Sequence, residues 1–177
     1  MKRNLKAKLS VVGGSILHLY LGCFFLWGNI NPYVQSYFYQ FEPDVSYDFI
    51  FMVDTILVLA NWIGYNLGTY LLQNRGWNPK MIIALGGTIS MTGFFFSSMQ
   101  VTLKSYILCY ALGGGIGCGI CYLVPLVCGW EYFPHRRGLI TGIIISSYGF
   151  GAFMWALLST RLCNPDSLDP DIQVIGQ

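Results

Sequence analysis

Two ionisable side chains stand far inside apolar sequence: His18, in the stretch from about Leu9 to Ile30, and Asp54, in the stretch from about Ser46 to Leu72. Such a group is costly to hold away from water, so its chemistry is proton exchange, pairing or contact with a charged ligand. Tyr47, Asp54, Asn61, Tyr65 and Gly68 recur at helical spacing and form one stripe, and Gly14, His18, Gly22, Phe25 and Asn29 form another. At 1.5 Å per residue, His18 lies roughly 13 Å and Asp54 roughly 18 Å from the same side of an apolar layer about 30 Å thick. The spacing therefore predicts a His18–Asp54 pair that exchanges a proton or lines a substrate path, with Asn61 on the same face. The plainer alternative is two polar groups satisfied by neighbouring helices.

Other candidate chemistry is thinner. Cys118 and Cys121 have the spacing of half a redox or zinc site, but no second Cys pair or His pair follows, and both fall in an apolar run. They read as small packing groups. Gly113, Gly115, Gly117 and Gly119 form two overlapping GxxxG pairs, and Gly64, Gly68, Gly142, Gly149 and Gly151 punctuate other runs. No phosphate-loop pattern accompanies them, so they read as sites of close helix approach. No cofactor or metal is implied, and the chain is not expected to be an enzyme.

The elements that must position these groups follow from composition. Of 177 residues, 54% are hydrophobic and 10% charged, with a net charge of +2. A soluble domain carries roughly 25% charged residues, so disorder, nucleic-acid binding and an ordinary soluble enzyme are excluded. The chain reads as an all-α membrane protein. Five stretches have the roughly 20 apolar residues that a span requires: 9–30, 46–72, 81–99, 106–129 and 138–160. Asn31-Pro32 is expected to end the first, and Pro125 to kink the fourth. The first span is too long, and lacks the small-residue cleavage site, for a signal peptide.

Lys2, Arg3, Lys6, Lys8, Arg75, Lys80, Arg136 and Arg137 fall on one side of these spans. The other side holds Lys104 and Arg161, with Glu42, Asp44, Asp166, Asp169 and Asp171. The asymmetry puts the basic N-terminus, residues 1–8, in the cytoplasm and the polar tail, 161–177, outside. No Lys or Arg lies within the five spans, so an anion finds no cationic partner there. An odd span count ending in a polar segment reads as an incomplete six-helix half, since such bundles are built from three-helix repeats.

The fourth-to-fifth junction is the most specific segment. Gly129-Trp130-Glu131-Tyr132-Phe133-Pro134-His135-Arg136-Arg137-Gly138-Leu139-Ile140-Thr141-Gly142 resembles the corresponding loop of the oxalate:formate antiporter and monocarboxylate porter branches of the major facilitator superfamily. Upstream, Gly115, Gly117, Gly119, Tyr122 and Pro125 are similar to that group's fourth helix, and Ser147-Tyr148-Gly149-Phe150-Gly151 to its fifth. Between the second and third spans, Gly68, Arg75 and Gly76 keep a Gly, an Arg and a Gly of the superfamily's loop motif, but its Asp is absent and the spacing is longer. The acidic-Gly-Gly signature of the classical porters is missing from the first span, and His135 replaces their Lys, which favours the oxalate:formate-like group.

The resemblance implies the N-terminal five helices of a major facilitator-type bundle that moves a small organic anion by alternating access, inactive without the missing C-terminal half. It implies that Tyr122 and Tyr148, with Phe25 or Trp27, enclose the substrate, while the pairing arginines lie in the second half. It also makes Arg75, Gly76, Arg136, Arg137 and Gly138 cytoplasmic loop positions; the positive-inside rule alone asks as much of the arginines. Two other readings stay open. One is a non-transporting subunit held in the bilayer against other membrane subunits; the other is a facilitator for a sugar, drug or amino acid.

Overall fold

The structure, a computed structural model, describes residues 2–42 and 47–165. Every regular element in that range is helical. The first rod runs α1 (Lys2–Leu21), a 3-10 stretch (Gly22–Leu26) and α2 (Trp27–Tyr39); α3 is Tyr47–Gln73 and α4 Pro79–Ser97. The next rod is α5 (Leu103–Tyr106), a π-helical stretch (Ile107–Gly114) and α6 (Gly115–Tyr132), and after a 3-10 turn comes α7 (Arg137–Cys163). Asp44 and the acidic segment 166–177 lie outside the described residues.

Four helices are long and apolar enough to cross a membrane among the described residues: Asn4–Tyr39, Pro79–Ser97, Leu103–Tyr132 and Pro134–Cys163. Where the sequence reading counted five, α3 is long enough, at 27 residues, but is punctuated by Asp54, Asn61 and Asn66. The described residues thus form an all-α bundle of helices, most of them long and apolar enough to cross a membrane.

The first rod corrects one expectation. Asn31-Pro32 does not end it, for α2 carries Pro32 inside and continues to Tyr39. Proline removes one backbone hydrogen bond and crowds the carbonyl four residues earlier, here that of Gly28. Membrane helices tolerate this because neighbouring groups take up the freed backbone. Pro125 likewise sits within a continuing α6; the irregular turn of that rod lies earlier, at Ile107–Gly114.

Two stripes of glycine make α6 the centre of the bundle. A Cβ on Gly115 or Gly119 would run into the backbone of α3 at Leu57, Asn61 and Gly64. On the other side, Gly117 meets Gly86 and Ser90 of α4, and Gly113 meets Gly93. Residues two apart on a helix point nearly opposite ways, so alternating glycines admit a helix on each side. α7 crosses the first rod in the same manner, with Gly22 against Tyr148, Gly151 and Ala152, and Gly151 against Leu19. The buried Cys118 and Cys121 pack with Leu21 in the gap between the rods.

Turn chemistry fixes the ends. Gly76 takes the left-handed conformation, φ 62°, after α3. Asn78 then caps α4, its side chain accepting from the Lys80 N–H at 3.0 Å, with Pro79 as the first helical residue. At the far end, Glu42 accepts from the Leu103 N–H at 3.3 Å, a carboxylate on an orphan helix donor.

Candidate substrate site

His18 is wholly buried, at 0% exposure. Its Nδ1 lies 2.9 Å from the Gly14 carbonyl. A carbonyl only accepts, so Nδ1 carries the hydrogen and donates it, and Nε2 is left with a bare lone pair. Among the described residues Nε2 has no hydrogen-bond partner, a status it shares with Asn31 Oδ1 and Thr69 Oγ1. Of the three residues, only His18 is fully buried.

Aromatic rings from three further helices close on it. The Tyr122 ring of α6 is 5.0 Å from the imidazole and the Tyr148 ring of α7 6.1 Å, and the two tyrosines stand edge to face at 5.3 Å. Tyr65 of α3 lies 4.9 Å from Tyr122, and Phe25 of the 3-10 stretch 5.1 Å from Tyr148. Tyr65, Tyr122 and Tyr148 are half-buried and Phe25 is exposed, so the layer is aromatic without being sealed. Tyr20, packed with Tyr122 and Tyr148 against the Leu21, Cys118 and Cys121 cluster, has its hydroxyl 3.0 Å from Ser90 Oγ. A half-open aromatic layer with a buried unpaired nitrogen suits a small ligand with an apolar body and one polar end.

Phe25, Tyr122 and Tyr148 thus come together in one ring layer. Trp27 does not join them. It is 4% exposed and packs against Tyr106 and Tyr110, with ring distances of 6.2 and 5.5 Å, in a cluster with Phe38, Val53 and Leu57.

The expected His18–Asp54 pair is also absent. Asp54 is exposed, and its neighbours Val53 and Leu57 pack at the level of Trp27. The first rod extends beyond Pro32, and α3 reaches the His18 layer through Tyr65, whose ring meets Tyr122, eleven residues past Asp54 and about 16 Å along the axis. Asn61 is buried and spends its amide on the Gly115 carbonyl at 3.3 Å, which makes it a packing group between α3 and α6. Tyr65 is the site residue missed by the sequence reading. Its signal was present, four residues after Asn61 on the same stripe.

The loop positions lie well away from this layer. Arg75 is exposed, with its guanidinium 5.8 Å above the Tyr70 ring, and Gly76 makes the turn described above. Arg136, Arg137 and Gly138 are exposed at the start of α7. The Trp130 indole donates to Thr141 at 2.8 Å and ties the end of α6 to that start.

Comparison with known proteins adds the family context. The chain is 28% identical to apicoplast pyruvate carrier 1 of Toxoplasma gondii, a match covering 96% of this chain and 37% of that protein. It is 25% identical to mouse monocarboxylate transporter 14, over 92% of the chain and 32% of the transporter. An Escherichia coli relative named only as the uncharacterized MFS-type transporter YhjX is 24% identical over 95% of the chain and 40% of its own length. The chain spans about a third of the length of the curated relatives it matches. No family model and no solved structure matches. The relatives are named as transporters, and the resemblance stands as one to the N-terminal part of a monocarboxylate-type facilitator.

Proposed function

We propose that this chain forms one wall of the central site of a facilitator that carries a small monocarboxylate across a membrane by alternating access. The observation that carries the reading is the ring layer around His18: four separate helical rods converge there on an unpaired, buried nitrogen. A small carboxylate offers that layer an apolar body for Phe25, Tyr65, Tyr122 and Tyr148, and one end that needs hydrogen bonds. The relatives' names, a pyruvate carrier and monocarboxylate transporters, favour the same cargo.

Because the five spans hold no Lys or Arg, a fixed counter-charge for the anion comes on this reading from helices outside this chain, in a second bundle. Rocking of one bundle against the other then exposes the layer to each side in turn. On this reading the basic N-terminus, Arg75, Arg136 and Arg137 face the cytoplasm, as the positive-inside asymmetry suggests, with residues 9–160 as the transmembrane unit and 161–177 on the other side.

The test is counterflow of labelled pyruvate, formate and oxalate into proteoliposomes carrying the native full-length protein. Saturable uptake of at least one, competed by the others, is the expected result. Absence of uptake for all three, from protein that is folded and correctly inserted, contradicts the proposal.

A further inference from the structure

We propose that the basic end of the bundle holds one anionic phospholipid, its headgroup phosphate in the pocket between α1 and the α6–α7 turn. The inference does not depend on the cargo and uses no residue of the ring layer.

Helical spacing builds one wall of the pocket. Asn4, Ala7 and Lys8 share a face of the first turns of α1. Opposite them stand Tyr132 and Phe133, where α6 ends, and the five residues enclose a cavity of about 300 Å³. The far wall is held in place by its backbone and by a neighbouring indole. The Phe133 N–H donates to the Gly129 carbonyl and the Phe133 carbonyl accepts from the Arg136 N–H, both at 3.0 Å, while Trp130 donates to Thr141 at 2.8 Å. Beneath the pocket, Val11 packs with Trp130 and Phe133 on the cluster of Leu126, Ile140 and Ile144. The base is therefore apolar. Lys8, Asn4 and Tyr132 are exposed and bring an ammonium, a carboxamide and a phenol to the mouth, all able to donate hydrogen bonds.

Charge sets the sign of the ligand. Eight basic residues fall at this end in the sequence, from Lys2 to Lys8, at Arg75 and Lys80, and at Arg136 and Arg137, against one carboxylate, Glu131. Glu131 is exposed and does not line the pocket, being turned about 100° around the helix from Tyr132. An anion rich in acceptor oxygens, such as a phosphate, meets both the charge and the three donors. What α1 presents next selects a lipid over a soluble phosphate. Val12 and Ile16 follow Lys8 at intervals of four, about 6 and 12 Å deeper, and are 54% and 62% exposed. Leu5 and Leu9 flank them, so an uncovered apolar track leads from the pocket into the bilayer. A phosphate at Lys8 thus leaves its acyl chain lying along α1. Basic pockets between membrane helices are suited to anionic headgroups in this way.

The experiment is native mass spectrometry of the full-length protein released from phosphatidylcholine nanodiscs that contain a minor share of phosphatidylglycerol. One phosphatidylglycerol should stay bound per protein in preference to phosphatidylcholine. Lys8→Gln should weaken its retention about tenfold, and Tyr132→Phe, which keeps the charge, about threefold. Lys80→Gln removes the same charge outside the pocket and should change retention by less than about twofold. Equal losses in the two lysine variants mean a diffuse attraction and overturn the site. Displacement of the lipid by an equal concentration of inorganic phosphate makes the ligand a soluble anion and overturns the lipid assignment. Should Lys8→Gln fold poorly, Tyr132→Phe decides the matter, and unchanged retention in that variant overturns the inference.

Discussion

Two aromatic layers stack along the first rod, nine residues or about 13 Å apart, and they differ in what they leave unfinished. At Trp27 the indole is 4% exposed, Tyr106 and Tyr110 stack at 5.1 Å with ring planes 11° apart, and Phe38 and Phe94 fill the edges. At His18 the rings are half-buried, one flank is open, and a buried nitrogen has no partner. The residue types are alike, but the outcomes are not. An aromatic layer that satisfies itself holds helices together, whereas one with an unmet polar group awaits a ligand.

The comparison can be broken or sharpened by substitution. The largest effect falls on the closed layer. Trp27→Ala removes an indole from a packed cluster and should lower stability by on the order of 3 kcal/mol, read by thermal unfolding in detergent. Transport per folded molecule should stay near wild type, and a transport defect out of proportion to unfolding would make Trp27 part of the site after all. Next comes His18→Phe, which keeps a ring and deletes Nε2. Losing a charge-assisted hydrogen bond worth about 2 kcal/mol should slow pyruvate uptake about thirtyfold, with the unfolding temperature nearly unchanged.

Tyr148→Phe is gentler. It preserves the edge-to-face contacts with His18 and Tyr122 and removes only a hydroxyl, so KM should rise about threefold to tenfold if that hydroxyl meets the substrate. An unchanged KM would reduce Tyr148 to packing. The smallest effect belongs to Asp54→Asn. The exposed carboxylate lies at the Trp27 level, so the pH profile of uptake should not move; a shifted profile would restore Asp54 to the proton path.

These contrasts show what was legible in the residues. Helical spacing put His18 and Phe25 on one stripe, the family resemblance pointed to Tyr122 and Tyr148, and the rings form one layer. The glycine run announced close helix contact, and its alternation around α6 explains how two helices are served at once. The axial register between helices was not legible. Treating Pro32 as a terminus shortened the first rod by about two turns, which slid Asp54 opposite His18 when Tyr65 belongs there. A proline's cost depends on neighbours that can absorb the freed backbone groups, and those neighbours are tertiary. Trp27 failed for a related reason: spacing shows that a ring points inward but not whether other rings will cover it.

The most direct test is a side-by-side measurement of pyruvate affinity for the wild type, His18→Phe and Trp27→Phe in the same nanodiscs. The account predicts that Trp27→Phe binds as the wild type does while His18→Phe loses at least tenfold. Equal affinity in all three, or a loss confined to Trp27→Phe, would contradict the assignment of the substrate to the His18 layer.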